Sequence, residues 1–131
     1  MKKTHFENLK VYQLSEELAD KIWHIVNTWE RLAKSTIGAQ VVRSADSIGA
    51  NLAEGSGRGS NADYRRFIRM SRGSLYETRH WLRRAYRRDL LTQVQINDLT
   101  LVIEELTPKL NAYLKSIGTF GLSDDSEPNS D

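Results

Sequence analysis

Nine of the arginines in this chain lie within one stretch, from Arg65 to Arg88. If that stretch is helical, with about 3.6 residues per turn, six of them share an arc about 80° wide. No Asp or Glu falls within the arc, but Tyr76 does. Arginine pairs bidentately with phosphates and carboxylates, and aromatic rings stack on nucleobases. We call the six residues the arginine face: Arg65, Arg69, Arg72, Arg79, Arg83 and Arg87.

The arginine face has three interpretations. It binds the phosphate backbone of RNA or DNA, with Tyr76 stacking on a base. Alternatively, it pairs with acidic residues of a neighbouring subunit, such as Glu16, Glu17 and Asp20, or of another protein. The third interpretation is a solvated helix face, but such faces usually mix both charge signs. We favour nucleic acid, bound through its backbone and with weak sequence specificity.

A glycine-rich segment, residues 55–59, precedes the arginine-rich stretch and contains Arg58. Its simplest role is to reverse the chain between two helices. A helix N-terminus can also bind a phosphate, so Arg58 is a further candidate nucleic-acid contact. The segment follows a helix rather than a strand, which argues against a dinucleotide-binding fingerprint.

Catalytic and metal-binding patterns are weak in this sequence. Metal-binding helical bundles use paired Glu-x-x-His motifs that face the core. Here the motif occurs once, at Glu77 and His80, on the side of the helix away from Leu75 and Leu82. The other histidines have no Ser or Asp partner at a useful spacing. We therefore predict no catalytic residues, no metal, no cofactor and no enzymatic activity.

Composition is ordinary for a globular protein, with 131 residues, 39% of them hydrophobic and 27% charged. The chain has no cysteine and no apolar run near the ~20 residues that span a bilayer. We expect a cytoplasmic protein without membrane contact. Net charge is +2, but residues 121–131 carry four acidic residues and no basic one. The remaining 19 basic and 13 acidic residues give the body a charge of +6, and we predict an acidic, disordered tail.

Apolar residues recur at three- and four-residue steps in four segments, which predicts amphipathic helices. The first two cover about residues 8–30 and 36–54. Ser60 should cap the third helix, which extends to about Arg88, and Thr92 and Gln95 form a capping box for the fourth. In the third helix, Leu82 and Tyr86 belong to the predicted buried stripe. The sequence thus predicts an all-α, up-down-up-down four-helix bundle in residues 1–120.

Small residues lie beside the apolar stripe of the second predicted helix, and glycine within a helix needs a compensating contact. They permit close packing either inside the bundle or against another subunit. The residues concerned are Gly38, Ala39, Gly49, Ala50 and Ala53.

Several sequence blocks resemble one bacterial protein family. Residues 47–55 read SIGANLAEG, residues 64–67 read YRRF, residues 73–77 read GSLYE, and the start, residues 6–12, reads FENLKVY. Together these blocks are similar to the four-helix-bundle proteins encoded within intervening sequences of 23S ribosomal RNA genes. The resemblance covers about residues 5 to 118.

The resemblance implies an up-down bundle that assembles as a homopentamer. It also implies kinship with the accessory variability protein of diversity-generating retroelements, a basic pentamer that binds nucleic acid and a reverse transcriptase. A protein partner such as a reverse transcriptase is therefore a further expectation. The family's recognisable motif falls on Asn51, Glu54 and Gly55, for which a structural role is implied.

Overall fold

The structure is a computed structural model that describes residues 5–120, with side chains described through residue 118. Within this range the chain is all-α and contains no strand, which confirms the predicted class. The tail at 121–131 lies outside the described residues. Four long helices carry the fold: α1 (Lys10–Val26), α2 (Ala39–Ser56), α3 (Asn61–Arg87) and α4 (Gln93–Phe120).

Shorter segments precede α1 and α2. A 3-10 turn at Phe6–Asn8 leads into α1, and a helical turn at Arg31–Ala33 leads into a π-helical segment at Lys34–Gly38. Helical structure in the second predicted segment therefore begins at Arg31, earlier than the expected start near residue 36. The first helix ends at Val26, earlier than the expected end near residue 30. After α1 the chain turns so that the Trp29 indole donates to the backbone oxygen of Leu90, at 3.0 Å.

The predicted helix starts at α3 and α4 are confirmed. Ser60 Oγ accepts a hydrogen bond from the Asp63 amide at 3.1 Å. Thr92 and Gln95 cap each other reciprocally, at 3.1 and 2.9 Å. Asp89, with φ of 60°, makes the left-handed turn between these two helices. Pro108 lies inside α4 without ending it.

Each long helix contacts two others, in the pairs α1 with α2, α2 with α3, α3 with α4, and α4 with α1. Leucine, isoleucine and valine side chains from all four helices form one core, including Leu18, Ile48, Leu75 and Leu106, each fully buried. Apolar burial of this kind is the dominant stabilising contribution to a fold. No helix in residues 5–120 combines the length and apolar content needed to cross a membrane.

Two glycines allow α1 to approach the chain around α2. A Cβ added at Gly38 would lie 2.8 Å from Val26 Cγ1, and one at Gly49 would lie 2.9 Å from Ser15 Oγ. These positions therefore serve packing inside the chain. Ala50, in contrast, is exposed, so the small-residue flank divides into a buried part and an open part.

Candidate nucleic-acid interface

The position of the arginines follows from how α3 packs against α2. Two polar contacts reinforce the apolar packing between these helices. Ser71 Oγ donates to the backbone oxygen of Ile48 at 2.8 Å, and the Thr78 and Ser44 hydroxyls are 2.9 Å apart. Because Ser71, Thr78 and Ala85 are all buried, the inward side of α3 is centred on these small residues.

Arg65 does not belong to the open surface. Its side chain is only 1% exposed, and it is among the largest fully buried side chains described. Its inclusion in a nucleic-acid-binding face was therefore wrong. A helical wheel takes no account of neighbouring helices, whereas residues of α4 lie close to the start of α3. Tyr64 shows the proximity, since its hydroxyl hydrogen-bonds to that of Tyr113 in α4.

Arg69 and Arg72 occupy intermediate positions. Both side chains are partly buried. Arg72 Nη1 donates to Asn111 Oδ1 in α4 at 3.1 Å, so this guanidinium helps to join the two helices. The arginine face therefore follows the boundary between α3 and α4 instead of crossing a convex outer surface.

The second half of the face is open. Arg79, Arg83 and Arg87 are exposed, and Tyr76 is 51% exposed. None of the three arginines has an ion pair with a carboxylate within residues 5–118. They span about 12 Å along the helix, at ~1.5 Å per residue. We call these three residues the open arginine cluster.

Arg58 is exposed but already engaged. Its Nη2 atom lies 2.9 Å from Glu54 Oε2, and its guanidinium carbon lies 4.8 Å from the centre of the Phe67 ring. Exposed ion pairs of this kind contribute about 0–1 kcal/mol, so a phosphate can compete for the guanidinium. Arg58 nevertheless lies at the opposite end of α3 from the open arginine cluster.

The motif residues have structural contacts. Asn51 Nδ2 donates to the backbone oxygen of Ser47 at 2.9 Å. Glu54 forms the ion pair with Arg58. A Cβ at Gly55 would lie 2.7 Å from the Cβ of Phe67, so only glycine lets α2 approach the start of α3 this closely. The motif shapes the α2–α3 connection.

Beside the open arginine cluster, residues of α3, of α4 and of the turn between them line a groove of about 340 Å³. Arg79 and Arg83 line its α3 side together with Leu82 and Tyr86. The sequence pattern predicted that Leu82 and Tyr86 would be buried, but Leu82 is half-buried and Tyr86 is 52% exposed. Ala85 takes the buried position instead. Thr78 and Ala85 are small residues at buried positions of α3, and they were the signal in the sequence for this part of its inward side.

A second opening, between α1 and α2, has the opposite character. Small residues, including Gly49, Ala50 and Ala53, line it together with Glu16, Asp20 and Asp46. Burial, and then the nearby Asp20 carboxylate, raise the pKa of Asp46 above its ordinary value. We call this opening the acidic cleft. It uses a different pair of helices from the groove.

Groups needed for catalysis or metal binding are dispersed. His5, His24 and His80 are all exposed. Among the described residues, no three His, Asp or Glu side chains are placed to hold a metal ion. The Nε1 atom of Trp81 donates to Glu77 at 3.1 Å, so the carboxylate of the lone Glu-x-x-His string has a structural partner.

Comparison with known proteins now identifies the family. The family model described as 23S rRNA-intervening sequence protein matches residues 7–112. The chain belongs to this family.

A solved relative supports the assignment. A 1.70 Å crystal structure of a protein of unknown function from the S23 ribosomal protein family of Bacteroides thetaiotaomicron VPI-5482 is similar, with a TM-score of 0.71 and 26% identity. The match covers 80% of this chain and 98% of that one. No curated protein matches the chain. The relationship to the 23S rRNA-intervening sequence proteins therefore establishes the family and the fold of this chain. The open arginine cluster is observed in the structure of this chain.

Proposed function

We propose that this protein is a non-enzymatic, homo-oligomeric helical bundle that binds the backbone of RNA or DNA. The observation that carries the proposal is the open arginine cluster, three exposed guanidinium groups without a described carboxylate partner. Tyr76 provides an exposed ring on the same helix. Arginine contacts to phosphates supply affinity with little sequence information.

The proposed architecture is an up-down-up-down bundle. Contacts between neighbouring helices support it, because early residues of one helix meet late residues of the next. For example, Lys10 pairs with Glu105 and Lys21 with Asp98, so positions advance along α1 as they retreat along α4. The helices α3 and α4 are also antiparallel. Tyr64 bonds to Tyr113, and Arg72, which is later in α3, bonds to Asn111, which is earlier in α4.

The proposed assembly is a homopentamer, as the family resemblance implies. The acidic cleft offers a surface that a neighbouring copy can approach without covering the open arginine cluster, because the two lie on different helices. If the cleft meets a different surface of the next copy, the contact is heterologous, and such contacts form a ring when the rotation between copies closes and a filament when it does not. A protein partner such as a reverse transcriptase belongs to the same proposal.

Charge reversal tests the function. Replacing Arg79, Arg83 and Arg87 by Glu should abolish retention of RNA and DNA in a gel shift. The matched control reverses Arg31, Lys34 and Arg43, which are exposed outside α3 and change the net charge equally. Wild-type affinity should also fall with salt, by about 0.7–0.9 log units per phosphate contact for each log unit of salt concentration. Binding that is unchanged between 50 and 300 mM salt, or lost equally in both triple variants, would contradict the proposal.

A second candidate is an assembly or adaptor protein in which the arginines pair with acidic residues of a neighbouring subunit or partner. The acidic cleft favours it, because Glu16, Asp20 and Asp46 line an opening with small residues that a neighbour can approach. Light-scattering mass separates the two functions. Reversal of Arg79, Arg83 and Arg87 leaves the oligomer intact under the first proposal and dissociates it under the second.

A further inference from the structure

The groove between α3 and α4 joins two chemical features that nucleotides also combine. Its inner walls are aliphatic, including Leu99 and Ile103, and the exposed ring of Tyr86 forms part of its α3 side. Arg79 and Arg83 line the same groove on the α3 side, Glu104 lines it on the α4 side, and neither arginine has an ion pair within the described part of the chain. An apolar cavity with two cations and one carboxylate at its side fits a flat, apolar group attached to an anion.

The size of the groove limits what can enter it. Its 340 Å³ lies at the lower end of the ~300–1,000 Å³ found for small-ligand sites. Gln93 and Thr100 add hydrogen-bonding groups beside the apolar walls, as in sites that orient a small polar ring.

We propose that this groove receives one unstacked base of a single-stranded nucleic acid, with Tyr86 as the stacking platform and the flanking phosphates on Arg79 and Arg83. This inference rests on the proposed function and adds the substrate class. Duplex bases are stacked and paired, so a duplex contacts the arginines but cannot fill the groove. Stacking on an aromatic side chain is independent of base identity, because every base has a π-face.

The test compares one labelled single strand of mixed sequence with its own duplex, by fluorescence anisotropy on the full chain. Tyr86→Ala should weaken binding of the single strand about 5- to 150-fold, the range expected for losing one stacked base. It should change duplex binding by less than about twofold, since phosphate contacts remain. The control is Trp23→Ala, which removes another exposed aromatic side chain, on α1, and should alter neither affinity.

A second readout places the fluorescent base 2-aminopurine at one position of the single strand. Stacking on Tyr86 should change its emission on binding, and Tyr86→Ala should remove that change. Circular dichroism establishes that the variant is folded, as expected for a half-exposed side chain.

Three outcomes would overturn the inference, and they differ from failure of the proposed function. Equal loss of single-strand and duplex binding in Tyr86→Ala means that no base enters the groove. Unchanged single-strand binding by Tyr86→Ala has the same meaning. If replacing Arg79 and Arg83 by Glu still weakens binding, the proposed backbone binding remains valid. A lower light-scattering mass for Tyr86→Ala assigns the groove to a second copy of the chain. If the wild type binds neither nucleic acid at low salt, the proposed function itself fails.

Discussion

Individual arginines of one helix face have different roles because their neighbours differ. Arg65 is buried, Arg72 bonds to α4, and Arg79 is exposed, although all three share the same side of α3. The long aliphatic part of an arginine side chain packs against apolar surface, so burial of Arg65 contributes to packing as well as to charge placement. Substitution of each arginine should therefore affect different measurements.

Arg65→Ala should lower the free energy of unfolding by about 2–5 kcal/mol, the range for truncating a large buried side chain. Arg79→Ala should change it by less than ~0.5 kcal/mol, as for other exposed positions, while weakening nucleic-acid binding. Chemical denaturation measures the stability of both variants. Arg65→Met retains most of the packing volume and should cost less than Arg65→Ala. Equal stability of wild type and Arg65→Ala would show that the side chain is not part of the core.

At the scale of the elements, the sequence predicted what is encoded locally. Ser60 and the Thr92–Gln95 pair mark helix starts through short-range hydrogen bonds, and both are found. Apolar periodicity likewise located the four long helices. The π-helical segment at Lys34–Gly38 was not predicted, because no local rule in the sequence distinguishes it from an α-helix.

The arginine face was harder to predict because exposure depends on packing between elements. Periodicity gives the direction of a side chain from its helix axis but not the distance to the next helix. Arg65 is buried within the fold, whereas Tyr86 lines an open groove. The same pattern therefore underestimated burial at one end of α3 and overestimated it at the other.

Two glycines test how closely the elements approach. Gly55→Ala should lower the free energy of unfolding by about 1–3 kcal/mol, because the new Cβ would lie 2.7 Å from the Phe67 Cβ and force α2 and α3 apart. Gly73→Ala is the matched control inside α3. Its Cβ would meet nothing within 4 Å, so it should raise stability by about 0.4–1 kcal/mol. Thermal and urea unfolding measure both changes, and a stabilising Gly55→Ala would refute the close approach.

Across the whole molecule, charge is separated between two openings. Arg79 and Arg83, with one carboxylate, Glu104, line the groove of α3 and α4, whereas Asp20 and Asp46 line the acidic cleft of α1 and α2. Burial, and then the nearby Asp20 carboxylate, disfavour the ionised form of Asp46 and raise its pKa above the ordinary value. The folded chain therefore binds a proton at Asp46 more tightly than the unfolded chain does. Stability gained from that proton is lost as pH rises through the folded-state pKa.

Asp46→Asn should consequently raise the melting temperature at pH 7, because the amide cannot ionise beside Asp20. The increase should shrink as pH falls through the raised pKa of Asp46 and be smallest below its ordinary value of 3.8. Asp98→Asn is the carboxyl-to-amide control, and it should give no such increase because Asp98 accepts from Lys21 at 3.0 Å. Melting curves from pH 3 to pH 8 measure both variants.

If arginines of a neighbouring copy instead neutralise the cleft, Asp46→Asn will lower both the melting temperature and the light-scattering mass at pH 7. That outcome would favour the assembly function over nucleic-acid binding.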